Sequence, residues 1–128
     1  MISQGSPLAD AISRALDRRV AARTRLVRRL GVFTDDNFYT GFTEDISEGG
    51  LFACTHELLA VGTSVQLSLE LPGGHNVEAT GRVRWLREPY DPLAVAPGMG
   101  IEFDDISPTD RAAIREFMQS REPMFHQQ

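Results

Sequence analysis

The sequence predicts a mainly β protein, a small antiparallel barrel with one helix near each end of the chain. Short segments in which apolar and polar residues alternate recur along the chain, and turns rich in glycine and proline separate them. A serine followed by proline, a helix-start signal, occurs near each end. The 128 residues suit one domain, and 41% apolar with 24% charged residues is typical of a globular protein.

The N-terminal part predicts a helix over residues 7–18. Ser6 is suited to the N-cap and Pro7 to the first turn. Apolar residues then recur every four positions, at Leu8, Ile12, Leu16 and Val20. The end of this helix is open, because the periodicity could continue to Gly31, whereas the same residues could leave the helix near Arg19 and form a first strand over about 26–34.

Alternating patterns predict the strands that follow. The segment 37–46 is rich in strand-forming residues, and a short apolar strand over 51–55 follows the glycines at 49 and 50. Segments 64–72 and 76–86 form the two arms of a hairpin, since Gly73 and Gly74 between them favour a tight turn.

The last third of the chain predicts a loop, a strand and a helix. Three prolines exclude residues 87–98 from the interior of a sheet, and the segment 99–103 forms the last strand. The C-terminal helix begins after Ser107 as N-cap, with Pro108 in its first turn and Asp110 where a negative charge favours the helix dipole.

Charge is distributed unevenly along the chain. The net charge is -5, lysine is absent and all 13 basic residues are arginines. Within residues 14–29, seven arginines against one aspartate give a net charge of +6, which leaves -11 for the rest. The guanidinium fork binds phosphates and the acceptor edge of guanine in paired hydrogen bonds. This basic segment therefore indicates a compact anionic ligand or an acidic partner surface, or else a helix face that contacts only solvent. The acidic remainder would repel a nucleic-acid polymer.

Catalytic and metal chemistry have little support. Cys54 has no second cysteine for a disulfide, and the three histidines show no metal-ligand spacing. Cys54 and His56 could suggest a nucleophile and its base, but no third orienting group is evident, so we expect no enzyme.

No apolar run approaches the roughly 18 residues of a membrane span. The N-terminal residues lack a secretory signal pattern, and we expect a cytoplasmic protein.

The tripeptide Asp-Ile-Ser occurs twice and serves as an internal control. The copy at 105–107 leads into Pro108 and is explained by helix capping, whereas the copy at 45–47 leads into two glycines and a strand. In an extended segment Asp45 and Ser47 share one face and Ile46 enters the core. Gly49 and Gly50 allow positive φ and close approach of another group. A carboxylate here could accept the N1–H and amino group of guanine, with Ser47 as a further contact, although Asp, Ser and Gly also suit a simple turn.

Two motifs give the sequence its resemblance to a known family. Arg19 and Arg23 form R-x-x-x-R, and Asp45, Ser47 and Gly50 form D-x-S-x-x-G, with 22 residues from Arg23 to Asp45. The chain resembles the PilZ domain, a bacterial β-barrel family whose members commonly bind cyclic di-GMP through these motifs in this order. The likeness continues through residues 81–85 and 98–103 and the closing helix. The first motif alone is weak, because it also occurs at 14/18, 25/29 and 111/115.

The resemblance implies a six-stranded barrel over 18–121. The helical extension over 1–17 departs from the simplest pattern of the family, and a short tail over 122–128 follows the domain. It implies cyclic di-GMP as the ligand, without a cofactor or a metal, and with a separate effector protein as partner in motility or biofilm regulation. The ligand-binding residues that it implies are Arg18, Arg19, Arg23, Asp45, Ser47, Gly49 and Gly50. The N-terminal helix could also mediate a homodimer. The alternative is a PilZ-fold adaptor that binds proteins and no nucleotide.

Overall fold

A computed structural model describes residues 23–89 and 96–121, which form seven strands and one helix. The strands are β1 (Thr24–Arg25), β2 (Arg29–Phe33), β3 (Phe38–Ser47), β4 (Gly50–Cys54), β5 (Ser64–Glu70), β6 (Asn76–Arg87) and β7 (Gly98–Ile106), and helix α1 is Pro108–Gln119. The helix expected over residues 7–18 lies outside the described residues, as do the expected tail and the middle of the proline-rich loop. The one described helix is too short and too polar to cross a membrane.

The strands close into an antiparallel barrel, as predicted. Six strands follow one another in the order β3-β2-β5-β6-β7-β4, and pairing between β3 and β4 closes the ring. The two-residue strand β1 pairs with the C-terminal end of β3, on the edge of β3 opposite to β4. The expectation of a mainly β, six-stranded barrel with a C-terminal helix is confirmed.

The open question of residues 26–34 is resolved in favour of a strand. Leu30 and Val32 are buried, while their neighbours Arg29 and Phe33 are exposed, which is the period of two of a half-buried strand. Apolar residues four apart share a face in both a helix and a strand, so the longer repeat could not distinguish the two conformations.

Alternate residues of all six strands fill the barrel with aliphatic side chains. Leu30, Ile46 and Val83 are fully buried, and Leu51 is 1% exposed. Helix α1 covers this core with Ile114 and Phe117. Strand β7 continues three residues beyond the predicted end at Phe103, since its Ile106 still pairs with β6.

The helix begins at the predicted cap and is held to the β5–β6 hairpin. The Ser107 hydroxyl accepts a hydrogen bond from the Asp110 amide at 3.0 Å. The Asp110 carboxylate accepts from His75 Nε2 at 2.7 Å and from the Glu78 amide at 3.1 Å. Burial opposes ionisation of Asp110, but these hydrogen bonds outweigh it and lower its pKa.

The hairpin turn itself has Gly73 and Gly74 at φ of 105° and 102°, as predicted from their lack of a side chain.

Candidate functional site

The D-x-S-x-x-G motif forms the end of β3 and the tight turn into β4. Ser47 and Gly50 are paired across the turn. The Ser47 hydroxyl accepts a hydrogen bond from the Gly49 amide at 3.2 Å and donates one to the Gly50 carbonyl at 3.4 Å. As predicted, Ile46 is fully buried in the core. Through these two hydrogen bonds Ser47 stabilises the turn.

The chain that enters the barrel lies against this motif. In β1, Thr24 is opposite Ile46 and Arg25 is opposite Asp45. The next residues stay attached to β3, because the buried Thr43 hydroxyl donates to the Leu26 carbonyl at 2.6 Å and accepts from the Arg28 amide at 2.9 Å. Residue 23, just before β1, is thereby placed beside the turn that follows β3.

The two motifs meet in an ion pair. The Arg23 guanidinium donates through Nη2 to Asp45 Oδ1, and their side chains are only 22% and 11% exposed. Arg25 is exposed, and in the described part of the chain the hydrogen bond to the Asp45 carboxylate comes from Arg23. Thus one residue of each motif lies at the same edge of the barrel. Arg18 and Arg19 precede the described residues.

The two glycines of the motif differ in their surroundings. Positive φ among the described glycines occurs at Gly62, Gly73 and Gly74, so Gly49 and Gly50 do not use the positive φ that their lack of a side chain allows. Close approach is found at Gly50, where an added Cβ would collide with the Ile101 carbonyl of β7. At Gly49, the nearest atom to such a Cβ would be the Ser47 hydroxyl at 4.0 Å. Gly50 is therefore required by strand packing, whereas Gly49 leaves open space beside the turn.

Two arginines of helix α1 bind the same turn at Glu48, a residue for which the sequence predicted no role. Arg111 donates to the Glu48 carbonyl at 3.0 Å, and Arg115 donates to both Glu48 carboxylate oxygens at 3.2 and 3.0 Å. The sequence signal was present, since these arginines are one of the additional R-x-x-x-R pairs and are four apart on one helix face. Their partner is 63 or more residues away and could not be identified by local spacing.

A second ion pair and two aromatic rings lie on the outer face near Asp45. Arg87 donates to Glu44 Oε1 at 2.7 Å, and its guanidinium stacks 4.3 Å from the centre of the Phe52 ring. This hydrogen bond lowers the pKa of Glu44, against the opposing effect of burial. The Phe52 ring also packs against Trp85, with 5.0 Å between the ring centres. Local sequence patterns could not identify Glu44, Arg87 and Phe52, because their proximity depends on the pairing of β3 with β4, of β4 with β7 and of β7 with β6 in the closed barrel.

Gly98 and Gly100 of β7 make room for these rings. A Cβ at Gly98 would overlap the Phe52 ring, and one at Gly100 would overlap the Trp85 indole. Asp45 pairs with Phe52, Phe52 with Gly100, and Gly100 with Trp85. Because directly paired residues share one face of a sheet, a row of four positions joins the Asp45 carboxylate to the indole.

Cys54 shows no features of a nucleophile. Burial and a hydrogen bond to Glu44 raise the pKa of its thiol to about 11, because both favour the neutral form. Its possible partner His56 is exposed. In the part of the chain that the structure describes, no group of three His, Cys, Asp or Glu side chains could hold a metal ion.

Comparison with known proteins assigns the chain to a family. The family model for the PilZ domain matches residues 17–120, and the chain therefore belongs to the PilZ domain family. PilZ domains are binding and receptor domains. No curated protein is significantly similar to the chain.

Several solved structures share the fold. The inhibitor of motility MotI/DgrA of Bacillus subtilis is 23% identical with a TM-score of 0.69, over 80% of this chain and 50% of that protein. The PilZ domain of YcgR from Escherichia coli, solved with cyclic di-GMP, is 18% identical with a TM-score of 0.64, over 81% and 91% of the two chains. PlzA of Borreliella burgdorferi, also solved with cyclic di-GMP, is 15% identical with a TM-score of 0.57, over 90% and 50%. The chain spans half the length of the first and third of these proteins.

Proposed function

We propose that the chain is a receptor for cyclic di-GMP and binds the dinucleotide at the barrel edge where Arg23 meets Asp45. The observation that carries the proposal is their ion pair, because it places one residue from each motif at a single site. Membership of the PilZ domain family supports it, as do the cyclic di-GMP complexes of YcgR and PlzA. We place this activity in the cytoplasm.

Asp45 is suited to the donor edge of guanine. Its contact with Arg23 uses Oδ1, and a carboxylate has two oxygens that can accept from the N1–H and the amino group of one base. Ser47 contributes by holding the turn and, after a small rotation of its hydroxyl, by contacting the same base. Gly49 leaves space for the nucleotide to approach the backbone of the turn.

The charge balance of the site supports a role in phosphate binding for the arginines that precede β1. The charges of Arg23 and Asp45 cancel, as do those of Arg87 and Glu44. Cyclic di-GMP carries two negative phosphates, and these described pairs provide no net positive charge to neutralise them. Arg18 and Arg19 supply that charge in our proposal, with Arg23 turning from Asp45 to a phosphate or to the O6/N7 edge of guanine.

Binding at this position would change the chain before β1. Arg18 and Arg19 lie five and four residues before Arg23, so contacts from all three to one ligand would reposition the preceding segment. We propose that this rearrangement presents a new surface to a separate effector protein. MotI/DgrA is an inhibitor of motility in Bacillus subtilis, and control of motility or biofilm formation is the process that we propose for this chain.

The central experiment is calorimetry of cyclic di-GMP binding to the full chain and to Arg23→Ala. We expect the substitution to weaken binding by about 2–4 kcal/mol, because one partner of a charged and partly buried contact is lost. Arg121→Ala is the matched control. Arg121 lies just past the end of α1, where its guanidinium stacks 5.0 Å from the centre of the Phe117 ring, and among the described contacts it has none with Arg23, Asp45 or the turn. The affinity of this variant should therefore equal that of the wild type.

A second readout uses the single tryptophan of the chain. Trp85 lies in the row of paired residues that begins at Asp45, so a nucleotide at this edge should change its fluorescence. A wild type that gives neither binding heat nor a fluorescence change would favour the alternative, a PilZ-fold adaptor that binds only proteins. Unchanged affinity in Arg23→Ala would show that the motif is assigned to the wrong arginine.

A further inference from the structure

We propose that a second copy of this chain docks on the outer face of the β2–β3 hairpin in a two-fold symmetric dimer. Five large apolar side chains are exposed in the described part of the chain, and four of them belong to β2, β3 and the residues just before β2: Val27, Phe33, Phe38 and Phe42. Their exposed fractions are 61%, 37%, 57% and 48%. We call Phe33, Phe38 and Phe42 the aromatic face.

The strand register places Phe33 beside Phe38, and Phe42 lies four residues further along the same face of β3. Phe33 pairs with Phe38, and Arg29 pairs with Phe42, so all four side chains point out of the barrel. The Phe33 and Phe38 rings lie 4.7 Å apart between their centres. They lean over Gly31, where an added Cβ would come within 3.2 Å of each ring. The aromatic face is therefore a preformed ridge that needs no rearrangement before binding.

A groove runs beside the ridge along β5. Phe33 pairs with Gln66 and Gly31 pairs with Ser68, so polar side chains of β5 lie next to the large rings. Phe33 forms a wall of one concavity of about 480 Å³ over β5 and β6, and of another of about 380 Å³ between β2 and β5. A ridge next to a groove is a self-complementary surface, because a two-fold axis would place the ridge of each copy in the groove of the other.

The charges at the two ends of the hairpin favour the same arrangement. Arg29 is exposed at the start of β2, and Asp35 and Asp36 are exposed at the turn into β3. A two-fold axis through the middle of the face makes the hairpins antiparallel, so that Arg29 of each copy faces the Asp35–Asp36 turn of the other. A parallel arrangement would instead oppose arginine to arginine, which is unfavourable. Glu70 lines the same groove as Arg29 within one copy, and its negative charge weakens the attraction of Arg29 for the turn of the other copy.

The exposed area indicates a weak dimer. At 150–250 Å² for an aromatic side chain, the exposed fractions of the three rings amount to roughly 200–350 Å² per copy. This is below the roughly 800 Å² per partner of a standard stable interface, so the polar groove must contribute the rest and association should be modest. The dimer should therefore form in the micromolar to millimolar concentration range.

Sedimentation equilibrium of the full chain at physiological ionic strength tests the proposal. The wild type should show a monomer–dimer equilibrium within that range, and Phe38→Ser or Phe42→Ser should weaken association at least tenfold. Val61→Ser is the matched control, since Val61 is 59% exposed and lies outside the aromatic face. Circular dichroism establishes that each variant is folded. A wild type that stays monomeric, or phenylalanine variants that associate as well as Val61→Ser, would overturn the proposal.

Charge reversal tests the two-fold geometry. Arg29→Asp and Asp36→Arg should each weaken association, because each sets like charges against one another across the interface. The variant with both changes should recover most of the association, since the pair is restored with opposite sign. A double variant weaker than either single variant would refute the antiparallel arrangement. These measurements need no nucleotide, so their outcome is separate from that of the cyclic di-GMP experiments.

Discussion

The guanidinium of Arg23 donates a hydrogen bond to the carboxylate of Asp45, although 22 residues separate them in the sequence. The contact exists because β1 lies antiparallel to the last residues of β3, which brings the chain before the barrel to the turn at its rim. Each side chain thus satisfies the charge of the other. A ligand that binds both must replace their mutual contact with contacts of its own.

We expect this pair to stabilise the folded chain by about 1–2 kcal/mol, between the values for exposed and fully buried ion pairs. The measurement is a double-mutant cycle in urea with Arg23→Ala, Asp45→Ala and the double variant. Each single change leaves a poorly solvated charge unpaired, so the double variant should be more stable than the sum of the single losses predicts. Additive losses, within about 0.5 kcal/mol, would show that the pair is not formed in solution.

Gly49 and Gly50 should respond differently to alanine. Gly50→Ala should lower the free energy of unfolding by about 1–3 kcal/mol or more, because its Cβ would meet the Ile101 backbone, which cannot turn away as a side chain could. Gly49→Ala should leave stability within about 0.5 kcal/mol, since only the Ser47 hydroxyl lies near. Urea unfolding checks both variants.

Cyclic di-GMP affinity then separates structural and binding roles of these glycines. In our proposal the nucleotide approaches the turn at Gly49, so Gly49→Ala should weaken binding at least tenfold in a fully folded protein. Unchanged affinity in this variant would remove Gly49 from the site. Gly50→Ala is informative about binding only at temperatures at which circular dichroism shows that the variant is folded.

Arg111 should contribute more to the turn than Arg115. Arg111 donates to a backbone carbonyl, which holds the turn itself, and we expect Arg111→Ala to cost about 1 kcal/mol of unfolding free energy. Arg115 binds the exposed Glu48 carboxylate, and such surface pairs contribute little. Arg115→Ala should therefore leave the urea midpoint unchanged, and it serves as the control. Equal losses in the two variants would contradict this division.

The Cys54 thiol should be unreactive at neutral pH. Its pKa of about 11 lies above the ordinary value of 9.0, so the fraction of thiolate in the folded chain is very small near pH 7. Reaction with a disulfide reagent should be slow and should accelerate only as the pH approaches 11. The raised pKa also makes stability depend on pH. The thiol of the unfolded chain loses its proton at lower pH than the thiol of the folded chain, so the free energy of unfolding should fall as the pH rises from 9 to 11. Cys54→Ser should reduce that loss.

Local sequence patterns were sufficient for the hairpin and the helix cap. Gly73 and Gly74 adopt the positive φ that their turn requires, and Ser107 caps α1 through the Asp110 amide, as predicted. Both predictions depend on residues close together in the chain. The same local reasoning allowed a close approach at Gly50 but could not identify the approaching group, which belongs to β7, a strand about 50 residues further along the chain.

The sequence by itself determined the fold class, the family resemblance and the candidate residues, because alternation, turn chemistry and motif spacing are properties of short segments. Only the tertiary structure decided that residues 29–33 are a strand, that Asp45 pairs with Arg23, and that Arg111 and Arg115 hold Glu48. The physical reason is that a spacing of four puts two side chains on the same side of a helix or a strand alike. The partner that they meet is fixed only when the barrel closes and brings distant strands together.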